Sequence, residues 1–226
     1  MSAARPSGGT LGAAVVAIAT AVVLVGLSTA VFFNPAWVSF AQGRTDAAAL
    51  TGWSPEVLDA LTREMVVEVW LGPGTFAQEV AGEPVLNARE RSHMLDVRRL
   101  VLAFYAFVGL ALITLIAMGI ATGWRWTFWR AVARGAGGLA VGAVAVGGAF
   151  FLVFDWAFTV FHQIFFAPDT WTFDPLTERL VQIFPRQLWT ETTVALAIVG
   201  LSLAAAVWLV AGRLGRPPRE PAEPAT

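Results

Sequence analysis

LVLAFYAFVGLALITLIAMGIAT, residues 100–122, contains no charged side chain and directly follows Asp96, Arg98 and Arg99. A helix needs about 20 apolar residues to cross a hydrocarbon core of about 30 Å, so this stretch reads as a membrane span. Two other runs have the same character, residues 11–33 and residues 192–211. The first is longer than a signal-peptide core of about 7–15 residues, and Ser28-Thr29-Ala30 makes a poor cleavage site. It is therefore expected to persist as an uncleaved first helix. Residues 135–161 form a further span, with Gly137, Gly138, Gly142, Gly147 and Gly148 permitting close helix approach and Asp155 interrupting the apolar run.

The whole chain agrees with that reading. Of its 226 residues 57% are hydrophobic and 14% charged, against about 25% charged in soluble domains. The mean hydropathy is +0.66. A net charge of −1 argues against nucleic-acid binding, which needs a basic surface. The absence of cysteine excludes disulfides, thiolate metal sites, cysteine nucleophiles and lipidation of the chain's own cysteine. The expected fold is an all-α membrane protein, one domain over residues 1–226.

Arginine placement orients the chain. Arg125, Arg130 and Arg134 lie between the second and third spans with no acid among them, and Arg213, Arg216 and Arg219 follow the fourth. The loop between the third and fourth spans has Arg179 and Arg186 against Asp169, Asp174, Glu178 and Glu191. By the positive-inside rule both termini are cytoplasmic and the loops 34–99 and 162–191 face outward. Residues 213–226, rich in Pro, Glu and Ala, are expected to be a disordered cytoplasmic tail.

The first outer loop is long enough to carry structure. Ser54-Pro55-Glu56 is a helix start, followed by Leu58, Leu61, Met65 and Val69 at helical spacing, and Gly72-Pro73-Gly74 ends the helix. Asn87 and Glu90 have the spacing of a capping box, from which a helix can run unbroken through His93 and Asp96 into the second span. In the other outer loop, Asp174-Pro175 predicts a short helix with Leu176, Leu180 and Ile183 on one face, stopped by Pro185.

The chain has two histidines, and both fall at the outer interface. His93 precedes the second span and His162 closes the third, since a helix from Gly135 to His162 is about 40 Å long at 1.5 Å per residue. A lone interfacial histidine is ordinarily an amphipathic surface residue. Two at one depth, with Asp96 three residues after His93 on the same helical face, make a candidate proton-transfer site in which the carboxylate orients an imidazole. Arg98 and Arg99 fall at headgroup depth, where anchoring the helix end and meeting lipid phosphate is the plainer role for both. Asp155, about two turns deeper than His162, is costly in lipid and calls for a structural ion pair, with Arg98 or Arg99 as the expected partner. HExxH, GxSxG and Walker signatures are all missing, and no ligand spacing calls for a metal or another cofactor.

Ser92-His93-Met94-Leu95-Asp96-Val97-Arg98 resembles a motif of the bacterial lipoprotein intramolecular transacylase (Lit) family. So do Phe161-His162-Gln163-Ile164-Phe165-Phe166, Trp171-Thr172-Phe173-Asp174 and Ile183-Phe184-Pro185. The order of motifs, the four spans and the length extend the resemblance over nearly the whole chain. It implies an enzyme of the bacterial cytoplasmic membrane acting at the outer headgroup level. Its substrate would be a diacylglyceryl lipoprotein held among membrane lipids, and the reaction would move the sn-2 acyl chain onto the α-amine of the N-terminal cysteine. His93 and His162 would be the catalytic pair and Asp96 the orienter, with Arg98 and Arg99 as candidates for oxyanion contact. Two other readings stay open at this stage: a non-enzymatic accessory protein binding a partner through its outer loops, and a lipid-ester hydrolase.

Overall fold

The computed structural model describes residues 8–152 and 154–217, with the side chains of 8 and 146–152 left aside. The helices are α1 (Gly8–Ala30), α2 (Pro35–Gln42), α3 (Ala47–Thr51), α4 (Pro55–Trp70), α5 (Ala88–Ala121), α6 (Trp126–Leu152), α7 (Phe154–Phe165), α8 (Arg179–Ile183) and α9 (Arg186–Leu214). Among the described residues α1, α5 and α9 are long and apolar enough to cross a membrane. The further span expected over 135–161 falls in α6 and α7, on either side of Val153, which lies outside the described residues. α7 also continues past His162 to Phe165, so that histidine sits in the last turn of a helix. α9 holds Arg213 inside the helix, and residues 218–226 of the expected tail lie outside the described residues.

The bundle is ordered by close approaches. α6 packs against both α1 and α9, and α1 also packs against α5. Gly135 allows the first of these, because a Cβ there would lie 2.2 Å from the Ala17 carbonyl oxygen. Gly26 allows the α1–α5 approach, since its Cβ would stand 2.6 Å from Val108. Small residues at such points are what membrane helices need to bring backbones together. The expectation for the later glycines is met only in part: Gly137 faces Trp208, but Gly138 and Gly142 have open space where a Cβ would be.

Residues between α1 and α5 fold into a small apolar core of their own on the N-terminal part of α5. Leu58, Leu61, Met65 and Val69 of α4 pack there with Phe76, Leu86, Met94, Leu180 and Ile183. α4 begins as its sequence signals require: the Ser54 side chain accepts from the Val57 N–H, with Pro55 at the first position. α2 starts in the same way, with Asn34 accepting from Trp37 N–H and Pro35 next. That Asn-Pro signal was as readable as Ser-Pro and was passed over. A two-residue hairpin, β1 (Glu79–Val80) and β2 (Glu83–Pro84), joins this core to α5.

α5 is continuous over 34 residues, and its capping box is complete. Asn87 Oδ1 accepts from the N–H groups of Arg89 and Glu90, and Glu90 Oε2 accepts from Asn87 N–H at 2.7 Å. The short helix expected in the second outer loop forms, but it starts later than Asp174-Pro175. The Glu178 carboxylate accepts from Asp174 N–H and Asp174 accepts from Leu176 N–H, which closes a turn instead. α8 therefore starts at Arg179, leaving Leu176 86% exposed while Leu180 and Ile183 are buried.

Candidate active site

His93 sits in the second turn of α5, in the polar stretch that precedes the apolar span beginning at Leu100. His162 approaches from the end of α7. Their ring centroids are 6.0 Å apart with planes inclined by 22°, so the structure brings the two histidines of the chain together. The imidazoles are only 6% and 8% exposed. Phe166 lies against both, at 4.8 Å from His93 and 5.3 Å from His162. Phe173 meets His93 edge-on at 5.5 Å, while Phe158 and Trp171 lie 4.0 and 4.8 Å from His162.

Hydrogen bonding sets the tautomer of one ring. His162 Nδ1 is 2.7 Å from the Phe158 carbonyl oxygen. A carbonyl only accepts, so Nδ1 carries the hydrogen in the neutral ring and the free lone pair is on Nε2. His93 Nδ1 is buried without a hydrogen-bond partner among the described residues. A buried polar atom in that state is destabilising unless something arrives to pair with it. Burial, and after it the neighbouring His162, push the His93 pKa down to about 4 against the opposing charge of Asp96. Burial likewise lowers the pKa of His162, with the Phe158 carbonyl opposing it. Both rings are thereby held neutral, the form in which an imidazole can accept a proton.

The other expected residues are placed differently. Asp96 makes no hydrogen bond to His93; its carboxylate takes Arg99 at 3.0 Å, and it reaches His93 only through its charge. Arg98 donates to the carbonyls of Glu68 and Gly72, pinning the end of α4 to α5 rather than facing the histidines. Asp155 pairs with Arg186 at the start of α9, at 2.6 Å, and not with Arg98 or Arg99. Those two are already engaged, and Arg186 enters from the helix that Pro185 starts. With side chains 71% and 69% exposed, the Asp155–Arg186 pair lies on the surface of the bundle, and the expected partner, Arg98 or Arg99, is corrected to Arg186.

Two residues that sequence reasoning read too narrowly or missed hold the site together. Glu90 was visible as a helix cap, but its second oxygen also accepts from Leu180 N–H at 2.7 Å, tying α8 to α5 at a position only 1% exposed. Arg89, four residues before His93 and so on the same face, binds both oxygens of Glu178 at 2.7 and 2.8 Å. Its guanidinium stands 4.8 Å from the Phe173 ring. The Asn87/Glu90 spacing could have drawn attention to Glu90; no local signal predicts the partner of Arg89. Among the described residues there is no cluster of three or more potential metal ligands.

These features define a class: an all-α integral membrane protein with a desolvated histidine pair at one end of its bundle, roofed by aromatic residues of the loop after α7. The lipoprotein intramolecular transacylase Lit family model matches residues 14–189, and the chain belongs to that family. Among solved structures it is similar to the membrane-integral lipoprotein intramolecular transacylase Lit from Bacillus cereus, with a TM-score of 0.77 at 16% identity, covering 93% of this chain and 97% of that one. Two variants of the same Bacillus cereus protein, one with a histidine-to-arginine and one with a histidine-to-alanine change, match with TM-scores of 0.72 at 16% identity. Each covers 92% of this chain, and 92% and 93% of its own length is matched. No curated protein matches the chain. At this identity the structural likeness establishes a shared fold.

Proposed function

We propose that this protein transfers the sn-2 acyl chain of a diacylglyceryl lipoprotein to the α-amine of that lipoprotein's N-terminal cysteine. The observation that carries the reading is the pairing of two buried, neutral histidines within one aromatic-lined site of a Lit-family fold. The arginine distribution supports a bacterial cytoplasmic-membrane topology with both termini inside and the site at the outer headgroup level, where ester and amine reside.

In this reading the neutral amine attacks the ester carbonyl carbon, forming a C–N bond and a tetrahedral oxyanion. His162 Nε2, whose lone pair is left free by the Nδ1 contact to Phe158, accepts the amine proton. Collapse breaks the bond to the sn-2 oxygen, and that oxygen receives the proton to become a hydroxyl. The second imidazole, His93, is placed to donate to the oxyanion or the leaving oxygen once its unpartnered Nδ1 faces substrate. Donor and acceptor belong to one molecule, so rate is gained mainly by holding them at near-attack distance in a dry site. Asp96 favours the protonated form of His93 through its charge alone.

The test is mass spectrometry of N-terminal lipopeptides from cells with and without the gene. Transacylation makes an isomer, so the intact mass stays constant while fragment ions come to report an N-acyl cysteine. Loss of one acyl chain from the intact mass would mean hydrolysis instead. No change in either would leave the protein without this reaction.

A further inference from the structure

The histidines are nearly sealed, yet a proton-transfer partner has to come within about 3 Å of an imidazole nitrogen. Phe158 of α7 closes one side of His162, and the rest of the cover is one segment, residues 166–178, which carries Phe166, Trp171 and Phe173 between the end of α7 and the start of α8. Arg89 grips that segment at several points. It binds the Glu178 carboxylate, lies over Phe173, and reaches the Asp169 carbonyl at 3.5 Å. Among the described residues the other hydrogen bonds to it from outside are from Asn87 to Glu178 at 3.4 Å and Gln182 to the Pro175 carbonyl at the α8 end, with Phe166 N–H donating to the His162 carbonyl at the α7 end. Arg89 and His93 are one helical turn apart, so the ring that Arg89 holds is a ring that covers His93.

We infer that residues 166–178 are a lid over the histidine pair, and that Arg89 is the positioning residue that latches it shut through Glu178 and Phe173. The strength suits a latch. Arg89 is about half exposed, which screens its ion pair although Glu178 itself is only 13% exposed, and its contact with Phe173 adds a second interaction. The lid is therefore closed at rest, held by this latch together with the packing of Phe166, Trp171 and Phe173, and opens when a lipid-anchored N-terminus enters. The inference rests on the transacylase reading for its purpose, but lid opening can be measured without turnover.

The chain's two histidines are both under the lid, so carbethoxylation by diethyl pyrocarbonate, followed by peptide mass spectrometry, reports its opening directly. In purified full-length protein, Arg89→Gln should raise the modification rate of His93 and His162 about fivefold to tenfold, and Glu178→Gln, which leaves the Phe173 contact in place, by less. The double variant should go no further than Arg89→Gln alone, because that change already removes the whole latch. Arg89→Lys, which keeps charge but not the planar fork, should fall between. The thermal midpoint in detergent should move little; a general structural role would lower it together with the modification change, and that outcome overturns the latch. Unchanged modification rates also overturn it. If His93→Ala abolishes transacylation while Arg89→Gln leaves modification unchanged, the lid fails and the reaction stands. If Arg89→Gln raises modification but both histidine variants remain active, the lid stands without that chemistry.

Discussion

Glu90→Gln should destabilise the protein far more than its conservative appearance suggests. The two Glu90 oxygens accept from Asn87 N–H and from Leu180 N–H, each at 2.7 Å, at a site 1% exposed. A glutamine has one acceptor oxygen and an NH₂ group, so one N–H faces the NH₂ unpaired, either that of Leu180, whose bond is buried, or that of Asn87, whose bond is part-buried. An unsatisfied buried donor costs about 1–3 kcal/mol. Glu90→Ala strands both N–H groups and removes the cap, for roughly 3–5 kcal/mol in all. With about 2–4 °C per kcal/mol for a chain of this size, mid-range costs of about 2 kcal/mol for glutamine and about 4 kcal/mol for alanine should lower the unfolding midpoint by about 4–8 °C and about 8–16 °C. The assay is thermal unfolding in one detergent, with Asp155→Asn as the comparison. That change removes only an exposed pair with Arg186 and should move the midpoint by about 2 °C or less. Equal shifts for Glu90→Gln and Asp155→Asn would show that the α5–α8 connection does not depend on this carboxylate, and the reasoning would fail.

His93→Ala and His162→Ala should each reduce transacylation about 100-fold while leaving the protein folded, and the double variant should lose little more, read as the ratio of N-acylated to diacylglyceryl lipoprotein. If His162→Ala stays active while His93→Ala does not, the pair is wrong and His93 acts alone. Stability should fall as pH drops from about 6.5 towards 4. His93 resists protonation in the folded state, with a pKa of about 4, so the unfolded chain binds more protons across that window. His93→Gln should flatten the dependence of the unfolding midpoint on pH between 7 and 5; an unaltered slope would locate the effect elsewhere. Gly135→Leu should prevent assembly of α1 with α6, because its Cβ has no room beside Ala17, whereas Gly138→Leu should be tolerated. Folded yield in detergent separates the two.

The membrane class, the apolar spans and the start of α5 could all be read from local sequence, because each rests on interactions within a few residues. A charge-free run long enough to cross lipid has few alternatives, and Ser54-Pro55 and Asn87…Glu90 satisfy helix-end N–H groups from neighbouring positions. The two histidines could be placed at one depth by counting residues along helices. Their 6.0 Å approach, however, depends on how α7 stands against α5, which no periodicity encodes. Side-chain partners were hardest to foresee. Asp155 found Arg186, Arg98 found backbone carbonyls, and Glu178 delayed the start of the expected third-loop helix by bonding both Asp174 N–H and Arg89. Each choice is a competition among donors that become neighbours only after the chain has folded. The tertiary structure, through burial and the aromatic roof, also makes His93 a neutral, unpartnered imidazole, since desolvation belongs to a residue's surroundings and not to its place in the sequence.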